Sequence, residues 1–267
     1  MRLTGLRRYP VKGLRGEDHA ALDVDAWGPS GDRRWMVVQP DGGFMSQRRW
    51  PGLARIGATL QGDGSLLLQS REASIRVPRP DGAARLRVTV WLRELDAALA
   101  GAAADAWLAA RLGQACRLVY LDDPSARPVE RIPGVREDDT VSFADAYPIL
   151  LTSTASLSAL NAELEAPVGM DRFRPNLVID GAAPWQEDGW QRLRIGGMVF
   201  RAPKACTRCI VTTLDQATGL APVPGEPLRT LGRLNRNAAG IVFGRNLIPD
   251  APGRLQVGDP VEVLSET

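Results

Sequence analysis

Short β-type segments separated by turn residues dominate the first ninety or so residues and constrain the fold more than any other feature of the chain. Residues 34–38, 65–69 and 73–77 are rich in β-branched or aliphatic side chains. The turns Pro40-Asp41-Gly42-Gly43 and Gln61-Gly62-Asp63-Gly64 favour hairpins, because Asp-Gly pairs tolerate positive φ. Several strands at such close spacing predict a small barrel or sandwich.

Two helices are expected among the strands. Residues 102–112 are rich in alanine and place apolar side chains on one face, and Gly113 provides a natural stop. Residues 153–164 begin with Ser and Thr, which favour a helix N-terminus, and carry leucines on one stripe. Further strands are expected at residues 116–121, 176–179, 193–195, 198–201, 210–214, 240–243 and 261–264. The sequence therefore predicts a mainly β protein with a few helices.

Composition excludes several classes of partner. The chain has 33 Lys and Arg against 31 Asp and Glu, and this near-neutral charge gives no reason to expect nucleic acid or an anionic membrane. The N-terminus lacks the apolar stretch of a signal peptide, and no apolar run is long enough to span a bilayer. Three cysteines fit a reducing compartment better than a disulfide framework. We therefore expect a cytoplasmic protein.

A pair of cysteines is the strongest chemical signal in the sequence. Cys206 and Cys209 lie three residues apart, with Arg208 between them. A thiolate is a soft ligand and a nucleophile, and nearby positive charge favours its ionised form. The pair could therefore hold a soft metal or perform redox chemistry.

Two ordinary interpretations of the cysteine pair are disfavoured. A structural zinc site would need further ligands, but the other candidates are Cys116 and His19 alone. A thioredoxin-type pair should open a helix, whereas the β-branched run 210–213 predicts a strand. A single working thiolate with a structural neighbour is the preferred interpretation.

Four basic clusters accompany the cysteines. They are Tyr9-Pro10-Val11-Lys12-Gly13, Gly31-Asp32-Arg33-Arg34-Trp35, Gln47-Arg48-Arg49-Trp50 and Arg172-Phe173-Arg174-Pro175-Asn176. Each alone is typical of a solvated surface pair. Together they offer the arginines and the lysine that the oxygens of a phosphorylated cofactor require.

Other catalytic patterns are absent or weak. The sequence contains neither a P-loop nor a strand-anchored G-x-G-x-x-G motif. A hydrolase triad would depend on His19, which is expected in an exposed turn and has no G-x-S-x-G partner. The carboxylates of Glu187-Asp188 and of residues 137–139 are interpreted as loop charges.

Five ordered motifs resemble the MOSC proteins, named for the C-terminal domain of molybdenum cofactor sulfurase. The motifs are Tyr9-Pro10-Val11-Lys12, Asp32-Arg33-Arg34-Trp35, Phe173-Arg174-Pro175-Asn176, Cys206-Thr207-Arg208-Cys209 with Thr212-Thr213-Leu214-Asp215, and Val257-Gly258-Asp259-Pro260-Val261. The likeness covers nearly the whole chain. It implies an N-terminal MOSC β-barrel domain over residues 1–120, including the helix at 102–112, and a MOSC β-barrel domain over residues 121–267.

The resemblance also implies a cofactor and the residues that hold it. The cofactor is the molybdenum cofactor (Mo-molybdopterin), with Cys209 as the catalytic protein ligand to the metal and Cys206 not a ligand. The implied contacts from the N-terminal domain are Lys12, Gly13 and Arg33. Those from the MOSC domain are Arg174, Thr207 and Arg208, and residues at the Asp145 turn (Ala146, Tyr147) and Asn246 line the cofactor. Relatives have serine at the position of Gly13 and tyrosine at that of Asn246, which leaves the shape of the substrate open.

The implied activity is reduction of N-hydroxylated compounds such as amidoximes and hydroxylamines. This branch of the family includes mitochondrial amidoxime-reducing components and bacterial reductases of N-hydroxylated bases. Some bacterial relatives continue into a ferredoxin domain, whose cluster needs four cysteines, but no cysteine follows Cys209 here. Electrons are therefore expected from a separate protein or reductase. A carrier of the cofactor, or of sulfur on Cys209, remains an alternative, as does a member that binds no metal.

Overall fold

A computed structural model describes residues 1–266, and its regular structure is mainly β. The strands of the first half are β1 (Arg2–Arg8), β2 (Val11–Lys12), β3 (Glu17–His19), β4 (Ala21–Asp25), β5 (Gly28–Pro29), β6 (Trp35–Val38), β7 (Gly57–Leu60), β8 (Leu66–Gln69), β9 (Ser74–Val77), β10 (Arg85–Val90), β11 (Arg93–Leu99) and β12 (Arg117–Tyr120). The later strands are β13 (Ile149–Ser153), β14 (Leu177–Asp180), β15 (Trp190–Ile195), β16 (Met198–Thr207), β17 (Arg236–Asn237), β18 (Gly240–Pro249), β19 (Gly253–Gln256) and β20 (Val261–Glu266).

Helices are few in the described residues, as predicted. The α-helices are α1 (Ala102–Leu112), α2 (Thr154–Asn161) and α3 (Leu228–Leu234). Short 3₁₀ helices occupy Pro51–Arg55, Pro124–Ala126, Met170–Phe173, Gln186–Gly189 and Ile210–Thr213. Helix α1 has the predicted bounds and ends at Gly113, whose left-handed φ of 72° suits glycine. Helix α2 is capped by Ser153, which accepts a hydrogen bond from the amide of Ala155, and ends before the predicted residue 164.

The strands form four sheets. A nine-stranded sheet has the order β20-β15-β16-β18-β13-β14-β1-β3, with β17 paired to β18. The five-stranded sheet runs β10-β11-β12-β6-β2, and two three-stranded sheets run β19-β4-β5 and β7-β8-β9. The hairpin predicted at residues 61–64 joins β7 to β8.

Strands from the two halves of the sequence share two of these sheets. Strand β1 lies antiparallel to β14, with Leu6 opposite Leu177, and β19 pairs with β4. One hydrophobic core accordingly includes Leu3 and Leu6 together with Trp190 and Phe200. The two halves are packed as one body, and the division at residue 120 stays a prediction.

Three expectations about local structure are wrong. His19 lies in strand β3, paired with Leu6 and partly buried, rather than in an exposed turn. Glu187 is fully buried and is not a loop charge. Residues 210–213 form one turn of 3₁₀ helix instead of a strand, because the hydroxyls of Thr212 and Thr213 donate to the carbonyls of Cys209 and Ile210.

No helix among residues 1–266 has both the length and the apolar character needed to cross a bilayer.

Candidate functional site

A cavity of about 480 Å³ opens where the two halves of the chain meet. Its walls come from the end of β2, the residues before β6, segment 44–48, the β10–β11 hairpin, the loop before β13, segment 173–176, the end of β16 and the interior of β18. The cavity brings together all the site residues expected from the sequence, which are Lys12, Gly13, Arg33, Ala146, Tyr147, Arg174, Thr207, Arg208, Cys209 and Asn246. Residues that are far apart in the sequence therefore line the same cavity.

Cys209 follows strand β16 and precedes the 3₁₀ helix. Its carbonyl oxygen accepts hydrogen bonds from the amide and the hydroxyl of Thr212, which fix the backbone at this residue. The side chain is partly exposed in the cavity, and its Sγ lies 3.1 Å from Nη2 of Arg48. The sulfur is thus accessible and accompanied by a positive charge.

Within residues 1–266, the guanidinium of Arg208 makes its hydrogen bonds to groups other than the Cys209 sulfur, contrary to what the adjacency of the two residues suggests. Its Nη1 lies 3.0 Å from Sγ of Cys206, and its Nη2 donates to the carbonyl of Phe173 at 2.8 Å. Each cysteine of the pair therefore has its own guanidinium neighbour. The partner of Cys209 comes from the cluster at residues 47–50.

Lys12 lines the cavity and is buried. Its Nζ donates to the carbonyl of Phe143 at 2.8 Å and to Oδ1 of Asp145 at 2.5 Å. Burial lowers the pKa of Lys12 to about 8, although Asp145 opposes the shift. The Asp145 side chain is 69% exposed, and the charge and hydrogen bond of Lys12 hold the pKa of Asp145 below its ordinary range.

Arg33 joins the two halves of the chain. Its guanidinium donates to the buried Asp32, to Oδ1 of Asn176 at 2.8 Å and to the carbonyl of Arg174 at 3.2 Å. The guanidinium groups of Arg33 and Arg174 each lie 4.4 Å from the centre of the Tyr9 ring. Cation–π contacts of this kind hold both cations in place without neutralising them.

Unusual backbone conformations concentrate at the cavity. Four non-glycine residues in the described chain have positive φ, and three of them, Arg33, Trp91 and Arg174, line it. Gly13, which also lines it, has a φ of 80°. Side-chain-bearing residues adopt this region at an energetic cost, and such outliers often mark functional sites.

The lining is strongly cationic. The basic residues are Lys12, Arg33, Arg48, Arg174, Lys204 and Arg208, whereas Asp145 is the one carboxylate among the described lining residues. Burial lowers the pKa of Arg174 to about 10, which leaves its guanidinium charged at neutral pH. The cavity therefore suits an anionic ligand.

In the four basic clusters, some of the cationic side chains line the cavity and others pack elsewhere in the protein. Lys12, Arg33, Arg48 and Arg174 line the cavity. Their neighbours do not: Arg34 donates to the carbonyls of Leu121 and Asp122, Arg172 to that of Thr213, and Arg49 packs over Trp50. Each cluster thus supplies one cation to the cavity.

Some lining residues have no signal in the sequence. Phe44 forms an isolated β-bridge with Val38 and Trp91 lies in the β10–β11 turn, and an isolated aromatic residue at either place carries no motif. Asn176 lies in a motif, but its role as a bridge between Arg33 and Asp32 depends on contacts across more than 140 positions.

Comparison with known proteins identifies the class. The family model described as the MOSC domain matches residues 138–262, and that described as the MOSC N-terminal beta barrel domain matches residues 1–115. The chain belongs to the MOSC-domain family that carries this N-terminal domain, which confirms the resemblance.

Several relatives match this chain over most of its length. Mitochondrial amidoxime-reducing component 1 is 32% identical in both Mus musculus and Homo sapiens, over 97% of this chain and 81% of each relative. Molybdenum cofactor sulfurase of Oryza sativa subsp. japonica is 29% identical over 88% of this chain but only 31% of that protein. The similarity therefore covers most of the length of the amidoxime-reducing components but less than a third of the sulfurase.

Proposed function

We propose that this protein is a molybdenum-cofactor-dependent reductase of N-hydroxylated compounds. For an amidoxime, the reaction takes two electrons and two protons, breaks the N–O bond, and releases an amidine and water. The observation that carries the proposal is the convergence of Cys209 with cations from both halves of the chain in one cavity. The relatives named amidoxime-reducing components support the same reaction class.

The cavity fits the cofactor in charge and in ligand type. A molybdopterin carries a phosphate, and several basic side chains face the cavity against one carboxylate. A cysteine thiolate is a suitable soft donor for the metal, and Sγ of Cys209 is accessible there. When bound, the cofactor supplies a metal centre that exchanges two electrons and accepts oxygen, while the protein binds and orients the reactants.

Individual residues have distinct roles in this proposal. Lys12 and Arg33 hold the phosphate from the N-terminal half, where the positive φ of Gly13 turns the backbone towards the cavity. Arg174 and Arg208 bind from the MOSC half. The remaining contacts come from Ala146, Tyr147, Thr207 and Asn246, which line the wall of the cavity.

We infer that the electrons come from a separate electron-transfer protein or reductase. A plant-type iron–sulfur cluster uses four cysteines, and residues 1–267 contain three, of which Cys209 is assigned to the metal, so these residues do not hold such a cluster. Cys116 is buried, and burial raises its pKa to about 11, so it is unsuited to ligation or redox exchange.

Purification from a host that makes the cofactor tests the proposal. We expect molybdenum and pterin in equal amounts by elemental analysis and by fluorescence of the oxidised pterin. We also expect conversion of an amidoxime to its amidine with reduced methyl viologen as the electron source. Protein that holds the cofactor but converts no N-hydroxylated compound with any donor would contradict the reductase proposal.

A carrier of the cofactor or of sulfur is the second candidate. It is favoured by the similarity to molybdenum cofactor sulfurase, which covers 88% of this chain. Transfer of cofactor or sulfur from the purified protein to an apo-enzyme, without reductase activity, would support this role instead.

A further inference from the structure

Trp91 occupies an unusual position at the mouth of the cavity. Val90 and Arg93 are the last paired residues of the β10–β11 hairpin, so Trp91 and Leu92 form a two-residue loop. Trp91 has a φ of 56°, at a type of position where hairpins favour glycine or asparagine. Its side chain lines the cavity, and 42% of the residue is exposed. A large aromatic residue is thus held in a strained conformation beside solvent.

Phe44 and Arg48 pack against this ring. The ring centres of Phe44 and Trp91 are 5.1 Å apart at an angle of 56°, and the Arg48 guanidinium lies 4.8 Å from the Trp91 ring. The segment that carries Phe44 is tied to β10, because the amide of Phe44 donates to the carbonyl of Thr89 at 3.2 Å. The β-bridge of Phe44 with Val38 and the β10–β11 turn therefore support the aromatic pair.

Arg48 connects the aromatic pair to the sulfur of Cys209. The guanidinium that packs on Trp91 also lies 3.1 Å from Sγ of Cys209. Arginine has five N–H donors, and within residues 1–266 the Arg48 side chain makes no other hydrogen bond. One wall of the cavity thus presents flat apolar surface at its mouth and free polar donors near the sulfur.

We infer that Trp91 and Phe44 select substrates in which the N-hydroxylated group is attached to a flat aromatic body. This inference rests on the proposed reductase function and specifies its substrate class. The aromatic body packs against the two rings, and the free donors of Arg48 face the N-hydroxyl oxygen. Aliphatic N-hydroxylated compounds make no comparable contact, since ring–ring packing depends on a second π-system.

Kinetics with two matched substrates test the inference. Benzamidoxime and acetamidoxime carry the same reacting group, and one has an aromatic ring where the other has a methyl group. In Trp91→Ala, we expect kcat/KM for benzamidoxime to fall roughly tenfold, mainly through KM, because a ring–ring contact and its buried area are lost. The value for acetamidoxime should change less than about twofold. Trp91→Phe should recover most of the preference for the aromatic substrate.

Two further variants distinguish the effect of losing the Trp91 ring from any effect of a disturbed hairpin. Trp91→Asn removes the ring but places a residue that tolerates positive φ, so its hairpin should be intact and its kinetics should match those of Trp91→Ala. Leu92→Ala changes the neighbouring loop residue, which is 99% exposed and does not line the cavity, and should leave both substrates unaffected. Equal changes for both substrates in the Trp91 variants would overturn the inference.

Binding without turnover distinguishes failure of the inference from failure of the proposed function. Titration calorimetry of the oxidised holoprotein with benzamidoxime needs no electron donor. We expect Trp91→Asn to raise the dissociation constant about tenfold relative to the unaltered chain. If the unaltered chain binds benzamidoxime through Trp91 but reduces neither compound, the reductase proposal is wrong and the inference about Trp91 still holds. If the chain reduces both compounds but binds benzamidoxime equally well without the Trp91 ring, the inference is wrong and the reductase proposal still holds.

Discussion

The guanidinium of Arg48 lies 3.1 Å from Sγ of Cys209, although 161 positions separate the two residues in the sequence. Arg48 belongs to the N-terminal half, and Cys209 follows strand β16 of the other half. Because Arg208 contacts Cys206, the charge beside the accessible thiol is supplied across the cavity. The chemistry of the sulfur therefore depends on how the two halves pack together.

Replacement of Arg48 tests this dependence. In Arg48→Ala, loss of a charged hydrogen-bond donor beside the sulfur should lower kcat/KM for amidoxime reduction by roughly tenfold or more. Arg49→Ala is the matched control, since Arg49 is an exposed neighbour that does not line the cavity. Its kinetics should equal those of the unaltered chain. Comparable losses in both variants would show that a general effect on this segment is responsible.

The two cysteines should differ sharply in their importance. Cys209→Ser replaces the thiol by a much weaker soft donor, so N-reductive turnover should fall to background. Cys206→Ser should retain most of the turnover, because its sulfur pairs with Arg208 and is not the assigned ligand. Steady-state rates per bound molybdenum measure both effects. Similar damage from the two substitutions would contradict the assigned roles.

Much of the fold and the site could be predicted from local sequence patterns. Helix α1 has its predicted bounds because alanine content and Gly113 are local signals. The basic clusters that contain Lys12, Arg33 and Arg174 each place one cation at the cavity, but their role as cofactor contacts came from the family resemblance and stays a prediction.

Other features could not be predicted because they depend on tertiary contacts. The pairing of Arg48 with Cys209 and the aromatic pair at Trp91 arise from the packing of distant segments. The strand prediction at residues 210–213 was wrong because threonine hydroxyls can satisfy carbonyls of their own turn, which propensity alone ignores. Glu187 gave no sign of burial, since charged residues are mostly exposed.

Removal of the Arg33 side chain should affect both cofactor retention and stability. Arg33→Ala leaves the buried carboxylate of Asp32 without its cationic partner, which typically costs about 3–5 kcal/mol of unfolding free energy. It also removes a cation from the cavity, so the molybdenum content of the purified protein should fall markedly. Urea denaturation and elemental analysis measure the two effects.

A double variant separates these two effects of Arg33. Asp32→Asn combined with Arg33→Ala removes the unpaired charge, and asparagine can still accept the hydrogen bond that the Tyr9 amide donates to position 32. Stability should recover substantially, whereas the molybdenum content should stay low. Recovery of the molybdenum content together with stability would mean that Arg33 acts only through the fold.

Glu187 is a buried carboxyl outside the cavity, held in the 3₁₀ helix Gln186–Gly189. Its Oε2 accepts a hydrogen bond from the hydroxyl of Ser156 at 2.8 Å, and its buried Oε1 has no partner in the described residues. Burial therefore raises the pKa of Glu187 from 4.5 to about 7, although the bond from Ser156 favours the ionised form.

This raised pKa predicts a dependence of stability on pH. Between pH 4.5 and about 7 the folded chain keeps the Glu187 proton while the unfolded chain has lost it. The free energy of unfolding should therefore fall as pH rises through this window, by roughly 3 kcal/mol, with the full contribution present below it. In Glu187→Gln this decrease should disappear, so urea denaturation of the two chains at several pH values should give curves that diverge. Glu165→Gln, which alters an exposed carboxylate, should reproduce the original curve. Parallel curves for the unaltered chain and Glu187→Gln would mean that Glu187 is ionised in the folded protein across this range.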